Sequence, residues 1–129
     1  MERLKLKQQD AASALKTLES VLREPFSTII RDAAIQRFEY TFEAVWKFTK
    51  EYLKEKEGIV SGSPKAVFRE MLSLGFADEN QTAALLEMVD SRNDTVHTYK
   101  EEIAQAIFSK LPGYVTLMQN LLDKLADRA

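Results

Sequence analysis

The segment Arg92-Asn93-Asp94-Thr95-Val96-His97-Thr98-Tyr99 holds the only histidine of the chain, beside a guanidinium, an amide, a carboxylate and a phenol. Those groups suit phosphate chemistry. A phosphodiester of RNA is cleaved without a metal when a base takes the 2′-hydroxyl proton and a cation stabilises charge on the phosphoryl oxygens. His97 fits the first task because the reference imidazole pKa is about 6.5, and Arg92 fits the second as a permanently charged, bidentate phosphate ligand. The leaving oxygen still needs a second acid. With one histidine per chain, a two-fold dimer bringing two copies of Arg92 and His97 into one cleft would supply it.

Arg92 and His97 are five residues apart, so on one uninterrupted α-helix they would point about 140° away from each other. The backbone must therefore turn between them. Asn93, Asp94 and Thr95 favour such turns through side-chain bonds to their own backbone. A helix end there also offers unpaired N–H groups that attract anions.

Each residue has a plainer reading. A lone histidine near a helix start is more often a capping or interface residue than a catalyst. Arg92 is also within ion-pair reach of Glu87 on a helix surface. Tyr99, in the first turn of a helix, suits simple packing with its hydroxyl in water. Glu39 and Glu43 share one helix face at a spacing of four; paired carboxylates raise the question of a metal, but solvated or salt-bridged positions fit better because no third ligand is identifiable.

The elements that must position these groups are helical. Only four glycines and three prolines interrupt 129 residues, and 45% hydrophobic with 29% charged residues is an ordinary globular balance. One domain, residues 1–129, is expected. Leu4, Gln8, Ala11, Leu15, Leu18 and Leu22 mark the apolar stripe of a first helix over about 2–23. A second, the longest, starts between Thr28 and Asp32, carries Ala34, Phe38, Phe42, Val45, Thr49 and Tyr52 on one face, and ends at Gly58. Its off-stripe residues Arg37, Tyr40, Trp46 and Phe48 suggest a face packed against something else, most simply a homodimer partner.

Ser63-Pro64 predicts a third, short helix closing at Leu74-Gly75. Asp78 with Gln81 predicts a capping box for a fourth. Thr98-Tyr99-Lys100-Glu101 predicts another for a fifth, and Pro112-Gly113 should break or kink it before Tyr114, Leu117, Leu121 and Leu125 resume the helical period. The architecture implied is all-α: an up-and-down four-helix bundle with an extra short helix.

There is no cysteine, which removes disulfides and thiolate metal sites. The N-terminal residues lack a signal-peptide core and no apolar run nears the roughly 20 residues of a membrane span, so a cytoplasmic protein is expected. A net charge of −2 argues against broad non-specific nucleic-acid binding, while leaving room for a local basic groove.

Arg92-Asn93-x3-His97 resembles the Arg-polar-x(3–5)-His signature of the HEPN superfamily. With Tyr99 it resembles the longer Arg-x4-His-x-Tyr form of the toxin half of HEPN/MNT toxin–antitoxin pairs. The run from Arg31 to Lys47 is similar to that of the nucleotidyltransferase substrate-binding proteins, a HEPN branch. The resemblance implies a dimeric four-helix bundle with the motif at the subunit interface, Arg92 and His97 as ribonuclease residues, Asn93 as the polar residue orienting them, and no metal or other cofactor. It further implies a minimal nucleotidyltransferase antitoxin that transfers AMP to Tyr99, placing a bulky anion at the mouth of the cleft. Two other functions remain open: a non-catalytic subunit presenting substrate to the nucleotidyltransferase, and a plain helical dimerisation module.

Overall fold

A computed structural model describes residues 2–128; Met1 and Ala129 lie outside the described residues. Five α-helices follow one another: α1 (Glu2–Leu22), α2 (Thr28–Tyr52), α3 (Pro64–Ser73), α4 (Glu79–Asp94) and α5 (Glu101–Ala126). No strand occurs among the described residues. α1, α2, α4 and α5 alternate in direction, with Thr17 of α1 meeting Arg37 and Tyr40 of α2, and Glu87 of α4 meeting Lys110 of α5. The short α3 packs on α2 and α4, through Phe68 against Phe42 and Lys65 against Asp90.

Local signals place most helix ends. Ser27 caps α2 by accepting from Ile30 N–H at 3.0 Å, and Ser63 caps α3 ahead of Pro64 at its first position. α3 closes as a Schellman motif. Gly75 takes a left-handed φ of 80°, Phe76 N–H donates to Met71 O at 2.9 Å, and Gly75 N–H donates to Leu72 O at 3.1 Å. α2 runs on through one π-helical turn, Leu53–Glu57, to a left-handed Gly58.

Three expectations are corrected. α5, 26 residues, passes through Pro112 as one helix, while α2 together with its π-helical turn to Glu57 is the longest helical run, as expected. Pro112 sits on the exposed side while Leu111 and Tyr114 beside it are anchored in the core, so the lost backbone bond falls toward solvent. Secondly, Thr98 does not cap α5: its hydroxyl donates back to Thr95 O at 2.9 Å, and Lys100 is the capping position, without a side-chain bond. Thirdly, the off-stripe face of α2 is mostly used within the chain. Phe48 is fully buried, Arg37 donates to Thr17 O at 2.8 Å, and the Tyr40 hydroxyl meets that of Thr17. α2 is wedged between α1 and α5, so it buries two faces rather than one.

The core runs along the middle of the bundle. Phe38 stacks on Tyr114 with ring centroids 5.5 Å apart and packs on Phe42, and Tyr52 meets Phe76 edge-on near the far end. No described helix is long and apolar enough to cross a membrane.

Candidate functional site

The segment singled out by its chemistry lies where α4 ends and α5 begins. α4 starts under a complete capping box: Gln81 N–H donates to Asp78 Oδ1 at 2.7 Å, and Asp78 N–H donates to Gln81 Oε1 at 2.9 Å. It ends among residues that compete for the backbone. Asp94 is its last residue, and Thr95–His97 form a 3-10 turn. The Thr95 hydroxyl donates to Arg92 O at 2.7 Å, so threonine side chains take the carbonyls that the helix leaves open. Thr98 is still helical, and at Lys100, φ −88° and ψ 121°, the backbone is extended.

Two ties hold this corner in place. The Ser91 hydroxyl shares a buried 2.7 Å hydrogen bond with that of Tyr114, one residue before Arg92. Burial pushes the Tyr114 phenol above its usual range. On the other side the buried guanidinium of Arg31 on α2 donates to Glu101 in the first turn of α5 and to Asp32 at 3.1 Å. The Glu101 carboxylate also faces the positive end of the α5 dipole.

Within this frame Arg92 and His97 look in different directions. Two α-helical steps and three 3-10 steps separate them, roughly half a turn on the helical screws. Arg92 turns toward α2, where its Nη2 lies 3.5 Å from Glu43 Oε1 and its side chain is 26% exposed. Its Nε is buried without a hydrogen-bond partner. His97 faces solvent, and its ring meets that of Tyr99 edge-on at 6.1 Å. Tyr99 is 77% exposed, Val96 67%, and Asn93 is exposed too. No hydrogen bond or ion pair joins Arg92 to His97 among the described residues; His97 and Tyr99 are neighbours, and Arg92 is joined to Glu43.

A groove of about 350 Å³ opens beside Tyr99, lined by Asp32, Ile35, Gln36, Glu39, Thr98 and Tyr99. Glu39 therefore belongs to the wall of the motif end. Glu43 plays a different part. Its carboxylate accepts from Trp46 Nε1 at 3.2 Å and pairs with Lys47 at 3.7 Å as well as with Arg92. No group of three or more metal-ligating His, Asp or Glu side chains occurs among the described residues. Glu87, considered as the partner of Arg92, pairs instead with Lys110 at 3.2 Å. The tie between Arg92 and Glu43 spans two helices distant in sequence, and nothing in the local spacing announces it.

A family model for nucleotidyltransferase substrate binding protein like chains matches residues 6–127. The chain belongs to this family. The probable ribonuclease HepT of Haemophilus influenzae is 31% identical over 100 residues, covering 74% of this chain. The match spans 66% of that relative's own length. A crystal structure from Thermus thermophilus is 49% identical, with a TM-score of 0.86 over 89% of this chain and 98% of that one. Another solved structure, from Haemophilus influenzae, is described as revealing the fold of a substrate binding domain of a nucleotidyltransferase. It shares the fold at a TM-score of 0.77 and 21% identity, covering 92% of this chain and 98% of that one. The family is the nucleotidyltransferase-associated branch of the HEPN superfamily, the branch to which the motif at Arg92–Tyr99 pointed.

Proposed function

We propose that this chain is a metal-independent endoribonuclease toxin of the HEPN type, acting as a homodimer. The observation that carries the reading is the placement of the only histidine on an exposed turn, its ring free of hydrogen bonds to the described residues, five positions after an arginine that faces α2 with one buried, unpartnered nitrogen. A histidine kept for capping would spend its ring nitrogens on the backbone. His97 spends neither, and the hydroxyls of Thr95 and Thr98 meet the local carbonyls in its place.

In the proposed reaction His97 takes the 2′-hydroxyl proton, the 2′-oxygen attacks phosphorus, and the 5′-oxygen leaves with a proton given by the protonated His97 of the second copy, giving a 2′,3′-cyclic phosphate. Arg92 neutralises the phosphoryl oxygens, exchanging its long contact with Glu43 for the phosphate. Because Arg92 and His97 diverge within one chain, the second copy across a two-fold axis supplies the complementary group, with exposed Val96 and Asn93 at the contact. Asn93 orients the pair.

The proposed partner is a minimal nucleotidyltransferase that transfers AMP to Tyr99. The phenolic oxygen attacks the α-phosphorus of ATP, pyrophosphate leaves, and the phenolic proton passes to solvent. At 77% exposure the Tyr99 ring is reachable without unfolding anything. The product would put an anion beside His97 and exclude an RNA backbone.

The second reading, a non-catalytic subunit presenting substrate to the nucleotidyltransferase, is favoured by the family's description and by the carboxylates of Asp32 and Glu39 in the groove beside Tyr99, which repel a phosphate chain. Expressing the chain alone and with its cognate nucleotidyltransferase separates the two. The toxin reading expects growth arrest by the wild type alone, relief by the partner or by His97→Ala, and an intact-mass gain of one AMP that Tyr99→Phe prevents. Equal harmlessness of wild type and His97→Ala would sink it.

A further inference from the structure

The flank of α2 that carries Glu43 toward Arg92 continues, one turn on, into a groove of the opposite charge. Trp46, Lys47 and Lys50 of α2 and Arg3 and Lys7 of α1 line a depression of about 300 Å³, together with Glu51. The antiparallel pairing of α1 and α2 creates it, because the start of α1 lies against the second half of α2. Glu51 is buried and already paired with Arg3 Nε at 3.0 Å. With Arg3 and Glu51 cancelling, Lys7, Lys47 and Lys50 leave the groove positive, Lys47 also pairing with Glu43 at 3.7 Å, in a chain whose net charge is −2.

An indole lies among them. Lys50 Nζ sits 5.7 Å from the centre of the Trp46 ring, and the ring's Nε1 is fixed by Glu43 Oε2 at 3.2 Å. The same carboxylate holds Arg92 through its other oxygen, so the indole and the guanidinium of the motif are one carboxylate apart. An aromatic platform bordered by flexible cations is the chemistry that binds single-stranded nucleic acid: the base stacks, and the lysines track the backbone. The volume is at the lower end for a ligand pocket, fitting one nucleotide unit rather than a folded partner.

We propose that this groove is a binding subsite for single-stranded RNA, in which a base stacks on Trp46 and the flanking phosphates meet Lys7, Lys47 and Lys50. This rests on the ribonuclease reading for the identity of the strand, and it answers the difficulty of an acidic protein cutting RNA. The strand is held by the basic groove and only one phosphate has to enter the acidic motif end, beside Arg92.

Trp46 is the only tryptophan of the chain, which makes the test direct. A fluorescein-labelled 2′-O-methyl RNA, single-stranded and uncleavable, is titrated into the full chain while anisotropy and tryptophan emission are both recorded. The expected result is quenching of Trp46 that saturates together with the anisotropy. Lys7→Ala with Lys50→Ala, which leave the ties to Glu43 intact, should weaken binding about tenfold and lower the dependence of log K on log salt by about 0.7 per lysine.

RNA binding with unchanged Trp46 emission and no effect of the lysine substitutions would overturn the groove and leave the ribonuclease reading standing. Binding with quenching, but no cleavage of unmodified RNA, would support the groove and break the ribonuclease reading. Free AMP that quenches Trp46 as tightly as the strand does would make this a mononucleotide site and overturn the proposal, as would the absence of RNA binding at about 0.1 M salt.

Discussion

The two ends of α4 are built in opposite ways. At its start Asp78 and Gln81 satisfy each other's backbone, Phe76 is buried and ringed by Tyr52 and Arg128, and Lys124 donates to Phe76 O at 2.9 Å. At its finish the helix tightens into a 3-10 turn that leaves a histidine, a valine and a tyrosine in solvent. Closing an end with caps and contacts makes scaffold. Leaving side chains unspent while threonines close the backbone leaves groups available to something outside the chain.

Stability measurements can break that contrast. The largest effect is expected in the middle of the bundle, where Phe38→Ala removes a fully buried ring stacked on Tyr114. Urea unfolding should show a loss of about 3–5 kcal/mol. A loss below about 1 kcal/mol would mean that the packed centre is not what holds the helices.

At the closed end of α4, Asp78→Ala should cost about 1 kcal/mol, since it removes an N-cap and its reciprocal bond. An unchanged midpoint would remove the distinction between the two ends.

Tyr114 ties the centre to the motif end, and its effect depends on pH. Burial raises its folded pKa, so the fold favours the neutral phenol. The sign follows: this stability is complete below the unfolded value of about 10 and is lost as pH rises from there toward the folded value. Tyr52, raised mainly by burial, contributes in the same window. Tyr114→Phe should therefore cost about 1 kcal/mol at neutral pH through the lost bond to Ser91, and should flatten the alkaline loss without abolishing it. An alkaline limb identical to that of the wild type would place the titration elsewhere.

The smallest change is expected at the open end. His97→Ala should alter the unfolding free energy by no more than about 0.5 kcal/mol. A large loss would make His97 a structural residue, and the contrast would collapse.

What could be read from the sequence was what is local. The Asp78 box, the Ser63-Pro64 start and the Gly58 and Gly75 stops depend on close neighbours along the chain, and all stand in the structure. Readings failed where distant packing or a competing local bond decided. Thr98 had the right spacing for a cap but a closer acceptor in Thr95 O. Pro112 had the chemistry of a breaker, yet with Leu111 and Tyr114 anchored in the core α5 continues through it as one helix. Phe48 lay off the apolar stripe and is nevertheless core, because α2 has neighbours on two sides. For the site, residue types and spacing drew attention to Arg92, His97 and Tyr99, while the carboxylate that holds Arg92 and the ion pair from Arg31 to Glu101 cross between helices and leave no trace in spacing.

The central claim is that the open end of α4 works on RNA without a metal. The direct measurement incubates the purified chain with single-stranded RNA in excess EDTA and compares it with His97→Ala. Cleavage by the wild type that persists in chelator and falls by about 10² to 10⁴ in the variant is the predicted result. Intact RNA with the wild type, or equal cleavage by both proteins, would contradict it.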